Sequence, residues 1–141
     1  MLISQMFNNT TLHVLKKGIE GASKRHEAIS NNIANVDTPK YQRATVDFEN
    51  QLKRVLRGTD VSGRRTHPAH FIIGGPEAIP LVQPRVDIDN MTRFRPDKNN
   101  VNIDQEMADL AENSQRSDQF SELIRRRYQG LRRVLQEAGA R

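Results

Sequence analysis

The feature that most constrains this chain is an apolar heptad pattern at both of its ends. In residues 1–36, and again from Ile103 onward, apolar side chains recur at alternating spacings of three and four. This alternation is typical of a helix with one narrow apolar seam. The seam residues predicted for the first helix are Leu12, Leu15, Ile19, Ala22, Ile29, Ile33 and Val36, and those predicted for the second are Ile103, Met107, Leu110, Ile124, Tyr128, Leu131 and Leu135.

Polar and small residues interrupt both seams. His26 occupies one seam position of the first helix, where we expect a partly buried polar spacer. Three serines occupy successive positions of the second, and Gly18 and Gly21 lie within the first. We interpret these small residues as points of close approach between helices, since a helical glycine otherwise costs about 1 kcal/mol. The serines are Ser114, Ser117 and Ser121.

Composition limits what two long helices of this kind do. The chain has 141 residues, of which 35% are hydrophobic and 5% aromatic, so it is poor in the large side chains that build a self-sufficient core. A compact enzyme is therefore not expected. A narrow seam buries little surface until it meets a partner, and we expect the helices to be completed by each other or by other chains.

The middle of the chain is predicted to be short and irregular. Pro39 disfavours the helical conformation at the preceding residue and so ends the first helix. A small helix is expected where four apolar residues share one face between Asp47, a candidate cap, and Gly58. Val86 and Ile88 alternate with acidic residues as a short strand does, and Asn102 or Asp104 is expected to cap the last helix. The four apolar residues of the small helix are Phe48, Leu52, Val55 and Leu56.

No catalytic, cofactor-binding or metal site is predicted. His67 and His70 supply two imidazoles, whereas a zinc site needs about four ligands. Gly74 and Gly75 lack the lysine and the further glycines of a phosphate-binding loop. The chain has no cysteine, which excludes disulfides and thiolate ligands. We therefore expect a protein that is not an enzyme and that has no cofactor and no small-molecule substrate.

The net charge of +5 raises nucleic-acid binding as an alternative. The basic excess is diffuse, however, and the segment from Val101 onward is charge-balanced, with acids near its start and arginines near its end. A run of three arginines in the last helix has three possible interpretations: a phosphate contact, intersubunit ion pairs, or a solvated flank of the seam. The run consists of Arg125, Arg126 and Arg127. A basic helical nucleic-acid-binding module remains the alternative from another functional class, and it would require salt-dependent DNA binding.

The N-terminal residues do not resemble a cleavable signal peptide. Residues 1–7 contain no basic n-region and no sustained apolar run, and no other stretch approaches the ~20 apolar residues of a membrane span. If the protein leaves the cytoplasm, we expect it to do so by another route.

The segment that ends the first helix carries a family resemblance. It reads N-N-I-A-N-V-D-T-P-K-Y, and it resembles the N-terminal signature of the bacterial flagellar rod, hook and hook-associated axial proteins, N-N-[IL]-A-N-x-x-T-P-G-Y. Residues 47–52, 65–71 and 99–107 resemble, more narrowly, one subunit of the proximal rod. The positions that match the signature are Asn31, Asn32, Ile33, Ala34, Asn35, Thr38, Pro39 and Tyr41.

The resemblance implies a structural subunit of the proximal rod of the flagellar basal body, with another proximal subunit such as FlgC as the alternative. It implies a mainly α fold in which the N-terminal helix (1–36) and the C-terminal helix (101–141) pack as an antiparallel, coiled-coil-like pair around the middle section (37–100). It also implies export without a cleaved signal peptide into the rod that crosses the periplasm. The implied partners are further copies of itself, rod proteins of the FlgC, FlgF and FlgG type, the rod-adaptor protein FliE, and the membrane-embedded MS ring and export gate.

Two positions depart from the family pattern. Lys40 replaces the glycine that follows Thr-Pro, and the glycine expected before Asn99 is also missing. Because a non-glycine residue is sterically penalised at positive φ, these departures argue against turns that need a positive φ there.

Overall fold

The computed structural model describes residues 10–57, 76–89 and 96–139. Its elements, in chain order, are α1 (Thr10–Ala34), β1 (Ala44–Asp47), α2 (Glu49–Arg57), a 3₁₀ helix (Pro76–Leu81), β2 (Arg85–Ile88) and α3 (Ile103–Gly139). The predicted fold class is confirmed: the protein is mainly α, with a long helix toward each end and a small helix and short strands between them. The predicted features at Gly58 and in residues 65–75, and residues 1–7, lie outside the described residues.

The two long helices pack against each other as an antiparallel pair. Asn32 near the end of α1 contacts Glu106 near the start of α3, whereas Gly18 lies against Phe120. Residue numbers along the contact therefore rise in one helix as they fall in the other. With 25 residues in α1 and 37 in α3, the helices are about 37 Å and 55 Å long at ~1.5 Å per residue.

Two glycines of α1 form shallow notches that receive aromatic rings. A Cβ atom built on Gly21 would lie 2.4 Å from a ring carbon of Phe48, and one built on Gly18 would lie 2.8 Å from the ring of Phe120. No larger residue fits at either position without a shift of its neighbour. The interpretation as a point of close approach between helices is confirmed for Gly18, whereas the close neighbour of Gly21 is Phe48, which lies between β1 and α2.

The middle section packs onto one side of α1 and forms the apolar core with it. β1 and β2 form an antiparallel two-stranded sheet in which Val46 faces Val86. α2 begins directly after β1, so Phe48 lies between strand and helix and is buried. The sequence predicted α2 and β2, but it located neither β1 nor the 3₁₀ helix. The buried core residues are Ala28, Val46, Phe48, Leu52, Ile79 and Val82.

Local hydrogen bonds mark the end of α1 and the start of α3. α1 ends at Ala34, before the Thr38-Pro39 step, in a turn where the Thr38 amide donates to the Asn35 carbonyl at 3.0 Å. At the start of α3, the side-chain oxygen of Asn102 accepts the Asp104 amide at 3.0 Å. Of the two caps that the sequence left open, Asn102 is therefore the one used.

The argument against positive φ at the two lysine positions was wrong. Lys40 has φ 63° and Lys98 has φ 68°, so both adopt the left-handed conformation despite their side chains. The two turns face each other, and the Lys40 amide donates to the Asp97 carbonyl at 3.0 Å. The left-handed conformation costs about 1–2 kcal/mol at each lysine, and the hydrogen bonds that it allows offset this cost.

Candidate functional site

Asn32, from the signature segment, is the centre of a buried polar junction between α1, β1 and α3. Its side chain is fully buried. The amide nitrogen donates to the Ala44 carbonyl at 2.8 Å and to Glu106 at 3.0 Å. The amide oxygen accepts the Ala44 amide at 2.9 Å and the Tyr41 hydroxyl at 3.3 Å. An asparagine matches this set of donors and acceptors because it offers both in one plane.

Asn99 binds the turn that follows α1. Its amide nitrogen donates to the carbonyls of Asn35, Val36 and Thr38 at 3.0, 3.0 and 2.8 Å. These carbonyls belong to the turn that follows α1, and those of Asn35 and Thr38 also accept backbone amides. Its amide oxygen accepts the Val101 amide at 2.8 Å. The start of α3 is thereby tied to the end of α1.

Asn100 makes the corresponding connection to the sheet. Its side-chain oxygen accepts the Arg43 amide at 2.6 Å, and its nitrogen donates to the Asp89 carbonyl at 2.7 Å. Asp89 in turn donates its amide to the Arg43 carbonyl at 2.9 Å. Asn99 and Asn100 therefore hold the segment before α3 against the signature turn and against the two strands.

Glu106 is a buried acid that is held by a cation and an amide. The Arg43 guanidinium donates to Glu106 and, at 2.7 Å, to Asp109, while Asn32 donates to the second oxygen of Glu106. Burial alone would lower the pKa of Arg43, but the hydrogen bonds to Glu106 and Asp109 and their charges outweigh it and raise the pKa. Burial, helped by the Glu106 charge, raises the pKa of Tyr41. The charges of the junction stay paired.

The signature residues divide between the junction and the surface. Asn31, Ala34 and Pro39 are exposed, whereas Ile33 is half-buried. Asn35 bonds within the turn: its amide nitrogen donates to the Asn31 carbonyl at 2.8 Å, and its oxygen accepts the Thr38 hydroxyl at 3.2 Å.

A second ionic cluster joins α1, α2 and α3. Glu49 accepts two hydrogen bonds from the Arg25 guanidinium and one from Arg116 at 3.0 Å. Arg25 also donates to the Val46 carbonyl at 3.0 Å, and Arg116 bonds to Glu112 as well. The hydrogen bonds from Arg25 lower the pKa of Glu49 to about 2. Glu49 is therefore ionised at any physiological pH.

Between the two ionic clusters lies a cleft of about 240 Å³, bounded by α1, β1 and α3. Its α1 and β1 walls include Ala28, Ile29 and Val46, and Asn113 of α3 lines it as well. The Asn113 amide nitrogen donates to the Ala22 carbonyl at 2.9 Å. Its buried amide oxygen has no hydrogen-bond partner among the described residues.

The predicted seam of α3 divides into two rows of different exposure. The first, which we call the inner row, consists of Leu110, Ser117, Ile124 and Leu131, all buried or half-buried. Ile103 extends it to the helix start but is exposed. The second, which we call the outer row, is exposed throughout. It consists of Met107, Ser114, Ser121, Tyr128 and Leu135.

The face that α3 turns toward α1 pairs the inner row with residues that the sequence analysis did not select. Glu106, Asn113 and Phe120 each precede an outer-row residue by one position, and they are buried or half-buried. Two of these residues face α1 because they bond to it: Glu106 accepts a hydrogen bond from Asn32, and Asn113 donates one to the Ala22 carbonyl. A hydrophobic pattern cannot detect this face, because three of its residues, Glu106, Asn113 and Ser117, are polar.

The predicted seam of α1 lies mostly in the interface. Leu12, Leu15, Ala22 and Ile29 are buried. Ile19 and Ile33 are half-buried, and Val36 lies beyond the helix end. His26 is exposed, so the expectation of a partly buried spacer was wrong.

The described residues hold no cluster of three or more histidine or acidic side chains that is arranged to bind a metal ion. Within residues 10–57, 76–89 and 96–139, no helix is long and apolar enough to cross a membrane. The polar groups are used instead to fix one element against another.

Comparison with known proteins identifies relatives of the chain. Residues 18–42 match the family described as "Flagella basal body rod protein". The chain is 34% identical over 125 residues to the flagellar basal body rod protein FlgB of Yersinia enterocolitica, an alignment that covers 82% of this chain and 85% of that protein. It is 27% identical over 125 residues to FlgB of Bacillus subtilis, which covers 89% and 92% of the two chains. It is 28% identical over 134 residues to FlgB of Escherichia coli, which covers 91% and 94%.

Proposed function

The chain belongs to the FlgB family of flagellar basal body rod proteins and is a structural subunit of the flagellar rod, and we propose that the outer row of α3 joins it to its neighbours. Family membership places the subunit in the basal body, where it assembles with other rod components. The relatives share the name FlgB, and no observation favours FlgC or a nucleic-acid-binding module. The proposed role requires no catalysis and no cofactor.

The exposure of the outer row carries the proposal. Its apolar members Met107, Tyr128 and Leu135 are between 43% and 53% exposed, although they continue the heptad pattern of a packed seam. A heptad row that is apolar but exposed is incomplete in a single chain. The serines between these residues are small enough to let a neighbouring helix approach closely.

We assign the subunit to the proximal rod, with further copies of itself and subunits of the FlgC, FlgF and FlgG type as neighbours. FliE, the MS ring and the export gate are the proposed contacts at the membrane. Support for the proximal position comes from the resemblance outside the signature, at residues 47–52 and 99–107. Export without a cleaved signal peptide, and a position in the periplasmic space, belong to the same proposal.

Leu135→Glu tests the outer row. Leu135 is 49% exposed, so the change leaves the fold of the isolated chain intact, but a glutamate without a partner would be desolvated in the assembled rod. We expect cells that produce only this variant to lack complete rods and not to swim, while the variant is still exported. Motility in soft agar, and immunoblots of basal bodies and of exported protein, measure the three effects.

One further variant serves as a control, and another is unsuitable. Gln119→Glu introduces the same charge at an exposed position outside both rows and should swim normally. Leu131→Glu would be a poor probe, because Leu131 is 9% exposed and the change would destabilise the isolated chain. Normal swimming with Leu135→Glu incorporated into rods would show that the outer row is not an assembly surface.

A further inference from the structure

We propose that α3 packs against α3 of a second copy of this chain, parallel to it and shifted by two heptads. In this contact Tyr128 of one copy covers Ser114 of the other, and Leu135 covers Ser121. The inference rests on the proposed function, because it names the partner that completes the outer row. It adds a register, which the exposure of the outer row does not define.

The first observation is another exposed row that runs beside the outer row. Each of its members follows an outer-row residue by four positions, so the two rows together repeat the alternating spacings of four and three that a packed seam requires. Its members are all exposed. The two rows lie on a different side of α3 from the face that packs against α1. We call this row the flanking row, and it consists of Ala111, Asp118, Arg125 and Arg132.

The second observation is a change of side-chain size along the two exposed rows. From residue 111 to residue 121, which we call the small half, they carry an alanine, two serines and an aspartate. From residue 125 to residue 135, the large half, they carry two arginines, a tyrosine and a leucine. Tyr128 and Leu135 are 43% and 49% exposed. Large apolar side chains on a heptad seam pack where a partner leaves space for them, and the small half leaves such space at its serines.

The third observation is that the two halves carry opposite charges. Asp118 of the small half and Arg132 of the large half are both exposed, and neither has an ion partner among the described residues. Arg125, the other cation of the large half, lies 3.5 Å from Glu122. Charges that flank an apolar seam select its partner and its register. The large half is therefore attracted to a small half, whereas two large halves repel each other.

Size and charge select the same register. Arg132 follows Asp118 by fourteen residues, or two heptads, and each large outer-row residue of the contact follows its serine by the same distance. The two copies are therefore shifted by about 21 Å along α3, at ~1.5 Å per residue. A shift of one heptad would set Arg132 against Arg125, so that like charges meet. A shift of three heptads would set Tyr128 against Met107, which is itself large and 53% exposed.

A parallel arrangement leaves the contact open-ended. It joins the large half of one copy to the small half of the other, so each copy keeps one half for a further subunit. Such a heterologous contact extends a polymer. An antiparallel pair would instead bring together Ser121 of both copies and would close on itself.

Cysteine cross-linking tests the register in the assembled rod. The chain contains no cysteine, so Ser121→Cys combined with Leu135→Cys provides two defined thiols. We expect a short bismaleimide to produce covalent dimers of this variant in purified basal bodies. Gln119→Cys with Leu135→Cys is the matched control and should yield none, because Gln119 is exposed but lies outside both rows. Failure of the first pair to cross-link in rods that contain it would overturn the proposal, and so would efficient cross-linking of Ser121→Cys alone, which indicates an antiparallel pair.

An exchange of side chains identifies the partner. Ser114 is exposed, so Ser114→Tyr should leave the isolated chain folded, but the added ring fills the space that Tyr128 of the second copy requires. We expect Ser114→Tyr to lower incorporation into rods about tenfold, which corresponds to about 1.4 kcal/mol. Gln119→Tyr is the control and should incorporate normally. Ser114→Tyr combined with Tyr128→Ser should recover, because every copy then carries the exchanged pair. A double variant that stays defective would exclude a second copy as the partner, and normal incorporation of Ser114→Tyr would place Ser114 outside the contact.

Leu135→Glu in the same assay separates this inference from the proposed function. If Leu135→Glu blocks incorporation while the cysteine pair does not cross-link, the shifted contact between copies is wrong and the outer row remains an assembly surface. If Leu135→Glu incorporates normally, the outer-row proposal itself fails.

Discussion

The two ends of the helical pair are built in different ways. At the junction, where α1 ends and α3 begins, Asn32, Asn99 and Glu106 are completely buried and bonded to backbone or to each other. In the other half of α3, Leu131 is the single buried side chain between residues 121 and 137. The comparison shows that buried side chains of the signature segment serve the internal fold, whereas the far half of the last helix leaves nearly all of its side chains exposed.

Asn32→Ala should have the largest effect on the junction. It removes the partners of the part-buried Ala44 amide and Ala44 carbonyl and of one oxygen of the buried Glu106. We expect the free energy of unfolding to fall by roughly 2–4 kcal/mol, since each stranded group costs about 1–3 kcal/mol before relaxation. Urea unfolding followed by circular dichroism measures the loss.

Asn31→Ala is the matched control for this change. Asn31 precedes Asn32 in the signature, but its side chain is exposed. We expect its substitution to alter stability by about 0.5 kcal/mol or less. Equal losses at both positions would mean that the junction does not depend on the buried amide, and the contrast between the two ends would then have to be given up.

Gly21→Ala should have the second-largest effect, because it inserts a methyl group where α1 meets the core. Helix propensity favours alanine by about 1 kcal/mol, but the new Cβ would lie 2.4 Å from the buried ring of Phe48. Overpacking of this kind costs about 1–3 kcal/mol, and we expect a net loss of about 1 kcal/mol. Gly18→Ala should cost less, because the half-buried Phe120 can shift its ring away.

The two helices and the small helix were predictable from sequence because their apolar residues follow the helical period. The junction was not, because its residues are asparagines, a glutamate and an arginine that come from separate parts of the chain. The signature resemblance selected Asn32 and Asn35 but did not show that Asn99, Asn100 and Glu106 complete the same network. The positive φ of Lys40 and Lys98 could not be predicted from sequence for the same reason. It accompanies a hydrogen bond between two turns that are far apart in the chain.

Lowering the pH should weaken the cluster of Arg25, Glu49 and Arg116. The pKa of Glu49 is lowered to about 2 from 4.5, so the stability that this carboxylate contributes is complete above pH 4.5 and is lost as the pH falls through about 2. Because the side chain is about a third exposed, we expect the contribution to be about 1 kcal/mol. The difference in unfolding free energy between the native chain and Glu49→Gln should be constant from pH 5 to 7 and shrink between pH 4.5 and 2. A difference that is unchanged at pH 2 would show that the ion pair is not its source.

Gly130→Ala should have the smallest effect, and of opposite sign, because it lies in the exposed half of α3. No atom lies within 4 Å of a Cβ built at this position, so the methyl group meets open space. Replacing a helical glycine by alanine in such a setting should raise the free energy of unfolding by about 0.5–1 kcal/mol through helix propensity alone. Thermal unfolding of the isolated chain measures this gain beside the loss at Gly21. If Gly130→Ala reduces rod assembly while it stabilises the isolated chain, this part of α3 lies against a neighbouring subunit. If assembly is unchanged, the contacts between subunits lie on other sides of the helix.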